Sequence, residues 1–396
     1  MTLTLEIEKN VYGGDGLGRL GDGRVAFVPG TFGGETVRAE IVEQKRNFVR
    51  ARCVEWITRS PDRVEPGPTV PGMVYAGVNY AAELRMKAEQ LGNFLGKVGL
   101  AYPHVEVVAG RSSKYRNKAT YHVQRTAGRW TMGYRRELSH DVVDVLDDPL
   151  AREEIGRALP QIRAGVFALL TQGARNVRRS AAEAATVTVR HTAVDGVKWW
   201  LGDPPSSLVL TEQTAGHSFE VPADGFYQVN PQVGDDLVKA VRASYLDGAD
   251  RAPNLVDLYC GVGVFGLACA KAAAGEVRLV GVESARGSVA AAKRNAVRLG
   301  LKANFFCERV GGSLGRIKLG DRSMVIVDPP RGGLEKGVAE WLAASRAPRL
   351  VYVSCDPATL TRDLSAILKG YRLARVRLFD LFPRTARFET LVELEK

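Results

Sequence analysis

Cys355 stands between an apolar, β-branched run and a helix start in LVYVSCDPATLTRDL (Leu350 to Leu364). Leu350 to Val353 has the pattern of a buried strand. Asp356 followed by Pro357 reads as a helix N-cap and first helical residue, and Gly370 stops the amphipathic run that follows. The sequence therefore predicts a cysteine at a strand tip, one residue before a helix, where the positive helix end favours a thiolate. Such a thiolate can add to an electrophilic ring carbon. A reaction that also replaces a ring proton needs a base. Glu389 in LFPRTARFETLVELEK, after a turn and leading into a closing strand, offers one.

Two further stretches could hold a co-substrate. NLVDLYCGVGVFGLACA runs from a strand into a helix through Gly261, Gly263 and Gly266, which let the backbone approach a nucleotide-like ligand. Twenty residues past Gly263, Glu283 ends the next strand, placed to accept hydrogen bonds from ribose hydroxyls. A dinucleotide site, an S-adenosylmethionine site and a plain tight turn all fit this pattern. MVIVDPPRGG adds a stiff, extended turn that exposes Asp328 at a sheet end. Enzymes that methylate exocyclic amines carry an aromatic after the two prolines, where this chain has Arg331. A nicotinamide dehydrogenase has no evident use for the turn. Carbon 5 of uracil is a poor nucleophile, but thiolate addition at C6 makes an enolate whose C5 can attack a methyl donor. Removal of the C5 proton then lets the sulfur leave.

The elements that must position these residues fall into segments. Residues 1–58 read as short strands split by glycines, a small closed barrel. Residues 59–107 read as a Pro-rich linker and a helix packing on the catalytic domain. Residues 108–220 are mixed, strand-rich and basic, a central RNA-binding domain. Residues 221–396 alternate strands and helices, an α/β pattern whose ligands sit beyond the carboxyl ends of the strands.

Composition narrows the function classes. The 396-residue chain has no 18-residue apolar run and no export-signal pattern, so a cytoplasmic protein with no membrane partner is expected. Its five cysteines show no metal-ligand spacing and its five histidines are scattered, so no metal site is expected. Cys53, Cys260, Cys269 and Cys307 read as packing residues. The formal net charge of +11 points to a polyanionic partner, with a merely solvated basic face as the alternative. The charges cluster in RSSKYRNK (Arg111 to Lys118), Arg125, Arg129, YRR (Tyr134 to Arg136) and RNVRRS (Arg175 to Ser180), interleaved with tyrosines and Trp130. Arg116, Arg135 and Arg136 are the candidate RNA contacts.

The chain resembles the uracil-C5 RNA methyltransferases over nearly its whole length. DLYCGVGVFGL, VDPPRGG, SCDPATLTRDL and FPRTARFE stand in the family's order, and FYQVN (Phe226 to Asn230) is similar to its segment whose glutamine touches S-adenosylmethionine. The amino-terminal barrel resembles a TRAM domain, an OB-like RNA-binding module. The resemblance implies a Rossmann-like, S-adenosylmethionine-dependent catalytic domain beside a mixed, strand-rich central domain. It implies Cys355 as nucleophile, Glu389 as general base and Phe226 beside the target base. Gln228, Tyr259, Glu283 and Asp328 would contact S-adenosylmethionine, with Gly261 and Gly263 forming its loop. Arg362 and Asp363 match the family as supports of the nucleophile turn. The expected product is 5-methyluridine, in 23S ribosomal RNA ahead of the tRNA T-loop, made by a monomer. An RNA cytosine-C5 methyltransferase is the next alternative, although its usual Pro-Cys pair is absent from DPPR. An inactive RNA-binding relative is the last.

Two departures carry expectations of their own. Many TRAM-containing members hold a [4Fe–4S] cluster on four cysteines, three of them before a YxxQLxxK helix that is matched here by Tyr80, Glu83, Leu84 and Lys87. The preceding EPGPTVPGMVYAGVN has no cysteine and Asp148 stands near the fourth place, so no iron–sulfur cluster is expected and loop packing should replace it. Arg384 and Arg387 occupy the base motif's usual glutamine and histidine positions, and their charge should lower the pKa of Glu389.

Overall fold

The computed structural model describes residues 2–100, 105–126, 128–136, 139–173, 184–247, 252–273 and 275–396; the basic run at 175–180 lies outside them. Strands β1 (Thr2–Asn10), β2 (Gly16–Arg19), β3 (Val25–Val28), β4 (Thr36–Gln44) and β5 (Phe48–Thr58) close into a barrel in the order β1-β2-β3-β5-β4. Alternate residues of these strands, among them Leu5, Ile7, Val37, Ala39, Val49 and Ala51, point inward and form its core.

Helix α1 (Tyr80–Gly96) follows the linker, capped by Asn79, whose side chain accepts from the Ala82 amide. The central part comprises β7 (Lys118–Thr126), β8 (Arg129–Arg135), β9 (Val142–Asp144), α2 (Glu153–Thr171), β10 (Ala184–Thr192) and β11 (Gly196–Leu201), after β6 (Glu106–Val108). Its antiparallel sheet runs β11-β10-β7-β8-β9, with α2 packed through Ile155, Leu159, Ile162 and Val166 against Tyr121, Val187 and Val189.

The remaining elements are β12 (Val209–Thr214), β13 (His217–Pro222), α3 (Pro231–Leu246), β14 (Asn254–Leu258), α4 (Val264–Ala272), β15 (Arg278–Glu283), α5 (Arg286–Arg298) and β16 (Ala303–Cys307). They continue as α6 (Val310–Ser313), β17 (Ser323–Val327), α7 (Val338–Ala344), β18 (Arg349–Ser354), α8 (Pro357–Ile367), β19 (Arg372–Phe379) and β20 (Glu389–Glu395). An eight-stranded sheet runs β16-β15-β14-β17-β18-β20-β19-β6. Strands β14 to β18 are mutually parallel, and β20 runs antiparallel between β18 and β19. Apolar layers cover both faces. One joins Leu237, Phe265 and Val289 of α3, α4 and α5, and the other joins Leu91, Leu342 and Leu360 of α1, α7 and α8. Continuous runs such as Met324 to Val327 are what strands buried on both faces require.

Two segments differ from the sequence boundaries. Strand β6 extends the eight-stranded sheet by pairing in parallel with β19. The β12–β13 hairpin, placed by sequence in the 108–220 segment, packs on the catalytic helices: Asn295 of α5 accepts from the Glu220 amide at 2.7 Å, and the Glu220 carboxylate takes Arg294 at 2.6 Å. Short contacts of this kind are invisible in strand propensity.

The linker is fastened by packing and by buried charge. Val70 and Met73 join the apolar cluster of Tyr115, Tyr121 and Leu150. Asp148 is fully buried and accepts from the Tyr134 hydroxyl at 2.7 Å, the Tyr121 hydroxyl at 3.0 Å and the amides of Leu150 and Ala151 at 2.9 and 3.3 Å. That donor set satisfies a carboxylate buried in the loop. At the other end, Lys87 Nζ meets Glu83 at 2.7 Å and Asp380 at 2.8 Å, all three side chains fully buried. Tyr80 donates to Asp380 at 2.8 Å, and the Arg384 amide donates to Glu83 at 2.7 Å. The YxxQLxxK residues thus tie α1 to the loop that precedes Glu389.

Removing the lysine takes the ion pair from buried Asp380 and leaves buried Glu83 with Arg384 at 3.6 Å. We expect Lys87→Met to lower unfolding free energy by about 3–5 kcal/mol in urea titrations, with partial recovery when Glu83→Gln and Asp380→Asn are added. A loss below about 1 kcal/mol would show that this cluster does not hold the loop.

Candidate active site

The candidate residues converge at the carboxyl ends of β14, β15, β17 and β18. Ser354 pairs with Thr390 across the antiparallel β18–β20 ladder, so the next position of each strand sets Cys355 beside Glu389. In the parallel ladder Val327 pairs with Tyr352, which brings Asp328 level with Val353. Asp356 caps α8, one oxygen accepting from Ala358 at 3.0 Å and Thr359 at 3.1 Å. The predicted strand-tip cysteine ahead of a helix is therefore what folds.

The nucleophile turn and the DPPRGG turn are locked together. Asp363 accepts from the Leu334 amide at 2.8 Å and from the Tyr352 hydroxyl at 2.7 Å, while Arg362 donates to the Gly332 carbonyl at 2.9 Å. Gly333 has φ +76°, and a Cβ there would lie 2.3 Å from Arg362 and 2.6 Å from Asp363. Only glycine fits that crossing. The reading of Arg362 and Asp363 as supports agrees with this geometry.

The glycine loop turns through Tyr259, Gly261 and Gly263, all at positive φ. The Gly261 amide donates to Glu283 at 3.2 Å, and the Tyr259 hydroxyl accepts from the Glu335 amide at 3.2 Å. Tyr227 packs with Val221, Val262 and Ala291, which lays the FYQVN segment against this loop. The Gln228 Oε1 atom is buried with no hydrogen-bond donor among the described residues. An orphaned acceptor, the Glu283 carboxylate and a glycine loop with a free approach fit a ribose-bearing ligand such as S-adenosylmethionine. Phe226 is 70% exposed, leaving its ring free to meet a base. Arg135 and Arg136 are exposed on and just after β8, outside this group. Arg116 is half-buried, its Nε donating to the Tyr115 hydroxyl at 3.3 Å.

Electrostatics correct two expectations. The Cys355 thiol is pushed up to about 12, first by burial, then by Glu389 and Asp328, with Arg331 opposing. The helix end does not by itself make a thiolate in the resting protein; burial among carboxyl groups wins. Glu389 is buried and its pKa is raised well above the usual range, by burial and then by Asp328. The lowering expected from Arg384 and Arg387 does not occur because both arginines are engaged elsewhere. Arg384 donates to the Val78 carbonyl at 2.7 Å, and Arg387 donates to the Tyr12 hydroxyl at 2.9 Å. A raised carboxyl is the stronger base once ionised. Asp328 itself is pushed up to about 8 by burial and then by Asp257.

Sequence reasoning missed Arg331 as a cation felt by both Cys355 and Glu389, and read it only as a missing aromatic. It also missed Asp257, whose Oδ2 accepts from the Gly266 amide at 2.8 Å inside the glycine loop. Just past β16, Glu308 pairs with Arg316 and Arg309 with Glu335. Cys307, expected to pack, is exposed at the end of β16.

Asp257 is pushed up to about 7, chiefly by burial. An unfolded aspartate releases its proton near pH 4. Between those values the folded chain holds a proton that the unfolded chain has lost. The stabilisation is complete below about pH 4 and is lost as pH rises through 7, at about 1 kcal/mol per pH unit. Asp257→Asn keeps an acceptor for Gly266 and should flatten the decline in urea midpoint between pH 5 and 7; an unchanged slope contradicts the burial of that carboxyl.

Comparison with known proteins supplies the class. Residues 208–396 match a family profile described as tRNA (Uracil-5-)-methyltransferase, and residues 1–54 match the TRAM domain. An uncharacterized RNA methyltransferase of Thermosynechococcus vestitus is 30% identical, covering 99% of this chain and 98% of its own. The 23S rRNA (uracil(1939)-C(5))-methyltransferase RlmD of Chromohalobacter salexigens is also 30% identical, over 99% of this chain and 89% of its own. The crystal structure of the Pyrococcus abyssi tRNA (uracil-54, C5)-methyltransferase in complex with S-adenosyl-L-homocysteine shares the fold, with a TM-score of 0.74 at 22% identity over 98% of this chain and all of that one. The chain belongs to the S-adenosylmethionine-dependent RNA uracil-C5 methyltransferases.

Proposed function

We propose that this family member makes 5-methyluridine in 23S ribosomal RNA through a covalent bond between Cys355 and C6 of the target uridine. The observation that carries the mechanism is the β18–β20 register, which sets a half-buried thiol beside a buried carboxyl. The thiol gives its proton to solvent as its sulfur adds to C6, and the ring becomes an enolate with a nucleophilic C5. S-adenosylmethionine, when bound, supplies the electrophilic methyl group. Glu389, once it has released its own proton to solvent, takes the C5 proton, the C5–C6 double bond re-forms and the sulfur departs as thiolate. Gln228, Tyr259, Glu283 and Asp328 would hold the methyl donor, with Gly261 and Gly263 shaping its loop. The target has to be single-stranded or flipped out, because stacking shields C6. Phe226 would stack on it, and Arg116, Arg135, Arg136 and the barrel would hold the backbone, so affinity should fall steeply with salt.

Ribosomal RNA is preferred over tRNA because the RlmD relative matches across nearly all of this chain, TRAM domain included, and its name specifies 23S rRNA. Among the described residues no helix is long and apolar enough to cross a membrane.

Transfer of labelled methyl to 23S rRNA fragments and to tRNA transcripts tests both halves of the proposal. Wild type should label uridine in the ribosomal fragment, and Cys355→Ala should lose about a thousandfold or more in rate. Glu389→Gln should accumulate a denaturant-resistant protein–RNA adduct, because methylation can proceed while release cannot. Normal turnover by Glu389→Gln removes its assignment as base. Labelling of tRNA alone removes the ribosomal target, and labelling of cytidine removes the uracil chemistry.

A further inference from the structure

We propose that Tyr12 of the amino-terminal barrel and Arg387 form a clamp on Asp356, and that this clamp positions the Cys355 turn for reaction. The inference rests on Cys355 being the nucleophile and goes beyond it by assigning the barrel a part in the chemistry.

Tyr12 lies in the turn between β1 and β2, where the Val11 amide donates to the Asp15 carbonyl at 3.0 Å. Its ring stands edge-on to Phe94 of α1 at 5.7 Å and to Phe388 at 5.8 Å, which fixes where the hydroxyl points. That hydroxyl accepts from Arg387 Nη1 at 2.9 Å and lies 3.5 Å from Asp356 Oδ2. Arg387 Nη1 is itself 3.5 Å from the same carboxylate oxygen. The other oxygen of Asp356 caps α8. One carboxylate, adjacent in sequence to Cys355, therefore joins α8, the loop before β20 and the barrel.

The consequence for the thiol is electrostatic. Groups facing Cys355 are Glu389 from β20, Asp328 and Arg331 from the turn after β17, Asp356 at the head of α8, and Tyr12 from the barrel. An uncompensated Asp356 opposes thiolate formation. Arg387 sets a positive charge against it, and Tyr12 holds the guanidinium there. Arg387 is 39% exposed, so the benefit is screened and modest. Positioning matters more: fixing Asp356 fixes the turn whose next residue upstream reacts.

Alkylation of Cys355 by iodoacetamide, mapped by peptide mass spectrometry from pH 7.5 to 10.5, tests this without RNA. Single-turnover methyl transfer and RNA affinity are measured on the same full-length proteins. Arg387→Gln should slow Cys355 alkylation and methyl transfer about three- to tenfold, by a constant factor across this range because both thiols stay mostly protonated in it. Arg387→Lys, which keeps the charge, should stay within about twofold of wild type, and Tyr12→Phe, which removes one oxygen, should fall between them. RNA affinity should change less than about twofold. Wild-type alkylation rates and pH profile in both Arg387→Gln and Tyr12→Phe overturn the clamp. Equal slowing in the Gln and Lys variants reduces it to a fold support. If Arg387→Gln fails to fold, Tyr12→Phe decides alone. Methylation surviving in Cys355→Ala would instead overturn the nucleophile assignment, whatever the alkylation rates show.

Discussion

The antiparallel pairing of β20 against β18 is the constraint on which the active end of this protein depends. It sets residue 355 opposite residue 389 at the open end of a sheet buried on both faces. Because side chains alternate across a strand, a slip of one residue would turn Glu389 to the other face. The structure guards that register from both sides. Strand β19 pairs Phe379 with Glu389 along the outer edge, and the Lys87–Glu83–Asp380 cluster holds the loop that delivers β20. The buried ions of α1 thereby serve the site from a distance.

The same geometry sets the resting chemistry. Burial beside two carboxyl groups keeps the thiol protonated, and burial keeps Glu389 protonated at pH values where a surface glutamate is charged. Arg331 is the cation that favours the ionised form of both. Desolvation exceeds the helix-end effect here because the latter is typically worth less than about 1 kcal/mol. On the proposed assignment, such a thiol is a nucleophile held in reserve. Its reactivity would then depend on what enters the cleft and, under the proposed clamp, on how firmly the Asp356 turn is held.

Much of this was legible from local sequence. The strand–Cys–Asp-Pro–helix pattern, the glycine turn and the DPP turn are short-range features, and each folds as its residues dictate. The barrel was legible from alternating apolar residues such as Leu3, Leu5 and Ile7. Long-range relations were not. Nothing local says that Arg384 turns to the carbonyls of the linker, or that Arg387 turns to a tyrosine some 375 residues away in the chain. Asp148 marks the intermediate case. Its position suggested a missing ligand, but only the fold shows two tyrosines and two amides converging on it. The β12–β13 hairpin is another such case, since Glu212 takes Arg190 of β10 while the Glu220 amide donates to Asn295 of α5.

RNA carrying 5-fluorouridine at the target position offers the most direct measurement. Fluorine cannot leave C5 as a proton does, so the thioether should persist in wild-type protein. Peptide mapping after incubation with S-adenosylmethionine should find the methylated nucleotide bonded to Cys355. A stable bond to any other residue, or methylation with no bond at all, would contradict the shared nucleophile and base at the β18–β20 end.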